Sequence, residues 1–155
     1  MTPAIDVAKS SGIDYAIHMF SHEKANTAYG DEAAGQLAVV AEQIFKTIVC
    51  ETQAGELVVG VLSVVTKLNL KAMASSVNTK KVALASKNKV QRTTGYVVGG
   101  ISPLGQKNAL KTIIDTSAQK FDTIYVSAGR RGLEIELKPS DLIMLTKAQL
   151  SSISA

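Results

Sequence analysis

Tryptophan is absent from this 155-residue chain, cysteine occurs once, histidine twice and proline three times, and aromatic residues make up only 5%. Each shortage excludes something. A single thiol, Cys50, forbids an internal disulfide and fits a reducing compartment, so a cytoplasmic protein is expected. Few aromatics and no tryptophan argue against the stacked-base grip of single-strand-binding proteins, leaving local contacts to phosphates or to one nucleic-acid end. No apolar run approaches the roughly 20 residues of a membrane span, and the stretch from Met1 to Ser11 lacks the basic start and apolar block of a targeting peptide. His18 and His22 would share a face of one extended strand. With no third histidine, zinc would need carboxylates, so the pair reads as one hydrogen-bonded strand histidine and one surface histidine. No metal and no cofactor is expected.

What is present fits one domain over residues 1–155 with a substantial core: 46% of residues are hydrophobic and 19% charged. A net charge of +4 favours an anionic partner, although the cations are spread along the chain rather than massed in a tail. Thr2 and Pro3 open a helix that Gly12 ends. A strand follows from Tyr15 to Phe20, then a short helix from Glu32 to Ala38 capped by Asp31. Ile44 to Cys50 and Leu57 to Val64 read as a hairpin around Ala54-Gly55-Glu56. Asn69 caps a helix to Val77, a strand runs from Lys80 to Leu84, and Ser86 caps a helix ending near Gly95. Strands are expected from Thr112 to Asp115 and from Thr123 to Ser127, with a helical turn from Ser117 between them. Gly129 to Gly132 turns the chain into a half-exposed strand, Leu133 to Leu137. Ser140 caps a last helix from Asp141 to Leu150, and Ser151 to Ala155 frays. Strands in mixed order with helices at both ends make an α+β fold.

Four features carry chemistry. Lys46 stands between Ile44 and Ile48 on one face, where a lysine is seldom buried without a partner; it either extends out at an edge or lines a polar cavity. Cys50 lies on the same face in apolar company, with no histidine near in sequence, and reads as structural rather than nucleophilic. Lys87, Lys89 and Arg92 form a basic stripe or an ordinary solvated helix face. The chain from Gly95 to Gly105 holds four glycines and Pro103, a loop suited to aiming backbone N–H groups at an oxyanion or phosphate. It is not a P-loop, because Gln106 sits where the lysine should be, and Ser102 is not in a nucleophile elbow.

The run Gly99-Gly100-Ile101-Ser102-Pro103-Leu104-Gly105-Gln106-Lys107 resembles the signature of the YbaK-type Cys-tRNA(Pro) deacylases, relatives of the editing domain inserted in bacterial prolyl-tRNA synthetases. Further blocks extend the likeness nearly end to end: Thr2-Pro3-Ala4, Gly30-Asp31-Glu32, Phe45-Lys46-Thr47, Gln91 to Tyr96, Thr112 to Asp115, Thr123 to Ser127, and Arg131-Gly132-Leu133. The resemblance implies a mixed sheet curled into a partly open barrel, flanked by short helices. It implies a deacylase in which Lys46 lies in the pocket and Gly99, Gly100, Ile101 and Ser102 point N–H groups at the developing oxyanion. Thr47, Pro103, Ser127 and Gly129 would shape the substrate site, joined by Phe20 and Glu134, which replace the tyrosine and aspartate of the family. Lys87, Lys89, Arg92 and Arg131 would contact tRNA. The implied partner is the acceptor end of tRNA(Pro), with prolyl-tRNA synthetase as a further candidate, for a monomer or weak homo-oligomer with no membrane contact. A deacylase for another amino acid, such as alanine, and a non-catalytic tRNA- or synthetase-binding module are the alternatives.

Overall fold

The computed structural model describes residues 1–20, 34–35 and 39–155. His22, Asp31 and most of the helix expected from Glu32 to Ala38 lie outside them. Among the described residues eight strands form two sheets. β1 (Tyr15–Met19), β7 (Leu133–Leu137) and β6 (Ile124–Arg130) make an antiparallel sheet in the order β1-β7-β6. The second sheet has the order β4-β2-β3-β5-β8, from β2 (Phe45–Thr52), β3 (Leu57–Ser63), β4 (Val82–Leu84), β5 (Lys111–Asp115) and β8 (Gln149–Ser151). It is mixed: β2 pairs antiparallel with β3 and β4, while β3–β5 and β5–β8 are parallel. A parallel bridge between Ile44 and Tyr125 joins the two sheets. Among the described residues they do not close into a continuous barrel, which is the partly open α+β arrangement expected.

The α-helices that lie wholly within the described residues are α1 (Pro3–Ser11), α2 (Leu70–Ser76), α3 (Lys87–Thr94) and α4 (Pro139–Thr146). Their starts follow local chemistry. The Thr2, Asn69 and Ser86 side chains accept from the N–H groups of Ile5, Ala72 and Lys89, each satisfying a donor that the first helical turn leaves free. Gly12 and Gly95 then end α1 and α3 in left-handed conformations.

Apolar side chains gather on both faces of the five-stranded sheet. Phe45, Val49, Val59 and Val61 meet Val126, Leu133, Ile135 and Leu137 in the main core, which α1 closes with Ala4, Ile5 and Ala8. On the opposite face Cys50, Val58 and Ile113 pack under Met73 and Ala74 of α2 and under Ile153. Central β3 is buried at every position, as its unbroken apolar run requires.

Three expectations are corrected. Leu133–Leu137 is not half exposed, because Glu134 is 1% exposed and only Glu136 is partly open. The last helix begins at Pro139 with Lys138 before it and no side-chain cap, so Ser140 is not its cap; proline's fixed backbone angle suits the first helical position. The helix stops at Thr146 rather than Leu150, with Lys147 left-handed at φ 54°. The residues after it do not fray. β8 pairs with β5, Ile153 is fully buried, and the N–H groups of Ile153 and Ser154 donate to the Asp115 carboxylate at 2.9 and 3.1 Å.

Candidate active site

β2 starts at the seam between the sheets, so its first residues face both the β6–β7 sheet and the glycine loop. There Phe45, Lys46, Thr47, Val64, Val98, Gly99, Ile101, Ser127 and Glu134 line a cavity of about 190 Å³. The structure thus brings together six of the residues singled out in sequence: Lys46, Thr47, Gly99, Ile101, Ser127 and Glu134.

Lys46 is half-buried, and its ammonium donates to the Thr66 carbonyl at 2.5 Å. Burial, and then the nearby charge of Lys67, hold its pKa below the ordinary lysine value. A neutral carbonyl takes one of the three ammonium donors, and among the described residues no carboxylate forms an ion pair with it, although Glu134 lines the same cavity. Across β2, the Thr47 hydroxyl is buried and has no hydrogen-bond partner among the described residues. A buried hydroxyl in that condition costs on the order of 1–3 kcal/mol unless something else pairs with it. Ser127 accepts from the Gly129 N–H at 3.1 Å, and Glu134 stands opposite Ser127 in the β6–β7 register.

The glycine loop is a pinned structure. The Tyr96 hydroxyl donates to the Leu104 carbonyl at 2.6 Å across the loop, and burial first of all pushes its pKa up to about 12. The Val98 N–H donates to the Gln91 side chain of α3, while Lys107 N–H closes the far end on the Thr94 carbonyl. The pinning also removes donors expected for catalysis. Gly100 N–H is spent on the Val97 carbonyl at 2.9 Å. A Cβ on Gly100 would meet Arg130 Cα at 2.9 Å, so this glycine admits the β6–β7 turn rather than a substrate. Ser102 is fully buried, with its hydroxyl accepting from Leu104 N–H, and Pro103 faces a separate cavity beside Val7 and Leu110.

Two other expected residues also stand outside the cavity lining. Gly129, at φ 106°, forms the β6 bulge, where a Cβ would lie 2.8 Å from the Tyr96 ring. Phe20 packs with Ala34, Ile44 and Tyr125. Of the basic residues, Lys87 and Arg92 are exposed on α3, whereas Lys89 is committed to Glu51 at 2.5 Å and to the Gly55 carbonyl at 3.0 Å. Arg131 sits beside the cavity, its guanidinium 3.3 Å from where a Gly99 Cβ would be.

Sequence reasoning gave no site role to Phe45, Val64 and Val98, which add apolar surface to the lining. Their only signal was their place in or beside the motifs. His18 is the hydrogen-bonded strand histidine expected: its Nε2 lies 2.9 Å from Glu136 Oε1 and its ring 5.2 Å from that of Tyr125. Cys50 is fully buried, and burial pushes its pKa up to about 11. Burial thus favours its thiol form. Chemically, the cavity offers one lysine cation, backbone groups of Gly99 and Ile101, and a polar wall of Thr47, Ser127 and Glu134.

Comparison with known proteins bears on this arrangement. A protein of Enterococcus faecalis, provisionally named Cys-tRNA(Pro)/Cys-tRNA(Cys) deacylase EbsC, is 32% identical over 99% of this chain and 93% of its own length. The multifunctional Ser/Thr-tRNA deacylase ProXp-y of Escherichia coli is 28% identical over 77% of this chain and 78% of its own length. A crystal structure described as a candidate trans-editing enzyme for prolyl-tRNA synthetase shares the fold, with a TM-score of 0.83 at 20% identity, covering 100% of this chain and 99% of that one. The model of the aminoacyl-tRNA editing domain matches residues 22–145. The cavity therefore sits in a chain that belongs to the aminoacyl-tRNA editing domain family.

Proposed function

We propose that this protein is an aminoacyl-tRNA deacylase acting in trans on Cys-tRNA(Pro) in the cytoplasm, with the substrate's own thiol as nucleophile. The observation that carries the reading is a cavity that holds a lysine cation bonded to a neutral carbonyl, with no cysteine and no histidine among its described lining residues. At about 190 Å³ it is smaller than the ~300–1,000 Å³ of sites for drug-sized ligands, and suits one small amino acid. An aminoacyl ester is already activated, so orientation and charge stabilisation suffice.

In the reaction proposed, the cysteine sulfur attacks its own carbonyl carbon and the bond from that carbon to the ribose oxygen breaks. The ribose oxygen leaves with the proton the thiol gives up, and water then opens the cyclic thioester to free cysteine. Lys46, with Gly99 and Ile101, faces the carbonyl oxygen as it gains charge.

A second reading is hydrolysis of Ser- or Thr-tRNA by water. It is favoured by the Thr47 hydroxyl, which could bond a substrate hydroxyl, and by the name of the Escherichia coli relative. Single-turnover deacylation of tRNA(Pro) charged with cysteine, serine, threonine or alanine separates them. Cysteine should be released at least tenfold faster than serine, which has nearly the same size but a far less acidic group. Equal rates on cysteine and serine would sink the thiol mechanism in favour of water, and no release from any substrate would leave a binding module.

A further inference from the structure

Charge is divided very unequally along this chain. No carboxylate occurs between Glu56 and Asp115, and residues 57–114 hold nine lysines and arginines. The remaining eight cations face thirteen carboxylates, so that one stretch carries +9 and the rest −5 in a molecule of +4. The fold brings Glu51 of β2 up to this stretch, opposite Ala83 of β4 and in an ion pair with Lys89, but leaves the other cations without one among the described residues. Residues of this stretch build α2 and β4, with α2 covering the face of the five-stranded sheet that bears Ile48 and Cys50. Lys46 belongs to that face by strand alternation.

Two lysines link the site to this region. Thr66, whose carbonyl holds Lys46, is followed by Lys67, whose charge already acts on the Lys46 ammonium. Four residues on, Lys71 lines a groove of about 380 Å³ between α2 and β4, together with Lys80 and Lys81 over Leu70, Ala74 and Val82. All three groove lysines are exposed, and none makes an ion pair among the described residues. Lys89 of α3, by contrast, is already paired with Glu51.

We propose that the α2–β4 face is the track for the sugar–phosphate backbone of the RNA whose 3′ end occupies the site, with Lys71, Lys80 and Lys81 receiving phosphates. This rests on the reading of the cavity as an editing pocket. The aminoacyl end enters beside Lys46, and the strand carrying it leaves past Lys67 toward the groove. Lysines are point charges on long flexible stems, suited to a phosphate ladder of any sequence rather than to base edges. The docking surface therefore lies on α2 and β4 more than on the α3 stripe.

The test is equilibrium binding of the full chain to an uncharged acceptor-stem minihelix ending in CCA, measured by fluorescence anisotropy over a range of KCl. A second probe is a single-stranded oligonucleotide of the same 3′ end, too short to reach the groove. In the triple variant Lys71→Gln, Lys80→Gln, Lys81→Gln, the log–log salt slope for the minihelix should fall in magnitude by roughly 2, since each lost contact contributes about 0.7–0.9. The short probe should bind as before, and the corresponding triple arginine variant should keep the parent slope. An unchanged minihelix slope overturns the proposal. So does an equal loss in Lys9→Gln, Lys120→Gln, Lys138→Gln, which removes the same net charge elsewhere. Because the probes carry no amino acid, failure of deacylation and failure of this track are read separately.

Discussion

A lysine held by a neutral carbonyl keeps its charge for something else, and that is the condition of Lys46 on Thr66. Replacing it with alanine should lower single-turnover deacylation about a hundredfold, on the order of 3 kcal/mol, with the circular dichroism spectrum retained. A parent-like rate would remove Lys46 from the mechanism. Burial and Lys67 both lower its pKa, so a rate that needs the cation falls as pH rises through that lowered value. Lys67→Gln removes one of the two causes and should shift the alkaline limb to higher pH, after correction for spontaneous ester hydrolysis; an unmoved limb would assign it to another group. Lys46 was legible in sequence because a cation inside an apolar strand is anomalous. Glu134 was legible only by resemblance. In Leu-Glu-Ile-Glu-Leu the alternation reads as a strand with one wet face, and nothing local shows that one of its two acids is covered.

At the scale of elements, what could be read were features whose causes lie within a few residues: the caps at Thr2, Asn69 and Ser86, the Gly55 turn, and the double-faced burial of β3. The tail was misread because its partner, Asp115, lies 38 residues earlier than Ile153. That carboxylate is 2% exposed and accepts from Ser117 N–H and hydroxyl as well as from Ile153 and Ser154. Burial pushes its pKa up, but these donors outweigh burial and leave it below the ordinary value. A depressed folded-state pKa contributes stability that is present above the unfolded value, near 3.9, and is lost as pH falls through the folded one. Asp115→Asn should therefore cost about 2 kcal/mol at neutral pH, with the gap from the parent narrowing in acid. Urea unfolding across a pH series measures it, and a gap constant down to the lowest pH would show that charge is not the cause. The glycine loop was legible as a rigid loop but not in detail: a local turn spends the Gly100 N–H on the Val97 carbonyl, and the neighbour that leaves no room for a side chain there, Arg130, is distant in sequence.

For the whole molecule, the resemblance and the strand pattern together gave the α+β class, while the pairing of the chain's two ends was hidden, since no local signal reports it. Among the described residues β1 pairs with β7 alone, and the Thr2 hydroxyl donates to the carbonyl of Ala128, 126 residues away. Ribosomal synthesis delivers these partners in the least helpful order. The β1 segment must wait for more than a hundred further residues, and until Val126, Leu133, Ile135 and Leu137 exist, Phe45, Val49 and Val61 have only half a core to bury against. Pairings this distant in sequence are slow to form and leave apolar strands uncovered meanwhile. Chains arrested after Lys120 should accordingly be digested throughout by a nonspecific protease that the completed protein resists. A resistant fragment from the arrested chain would mean that the five-stranded sheet folds ahead of its cover. If none survives, the nascent segment is a client for chaperones until Leu133–Leu137 has been made, and becomes an editing domain only then.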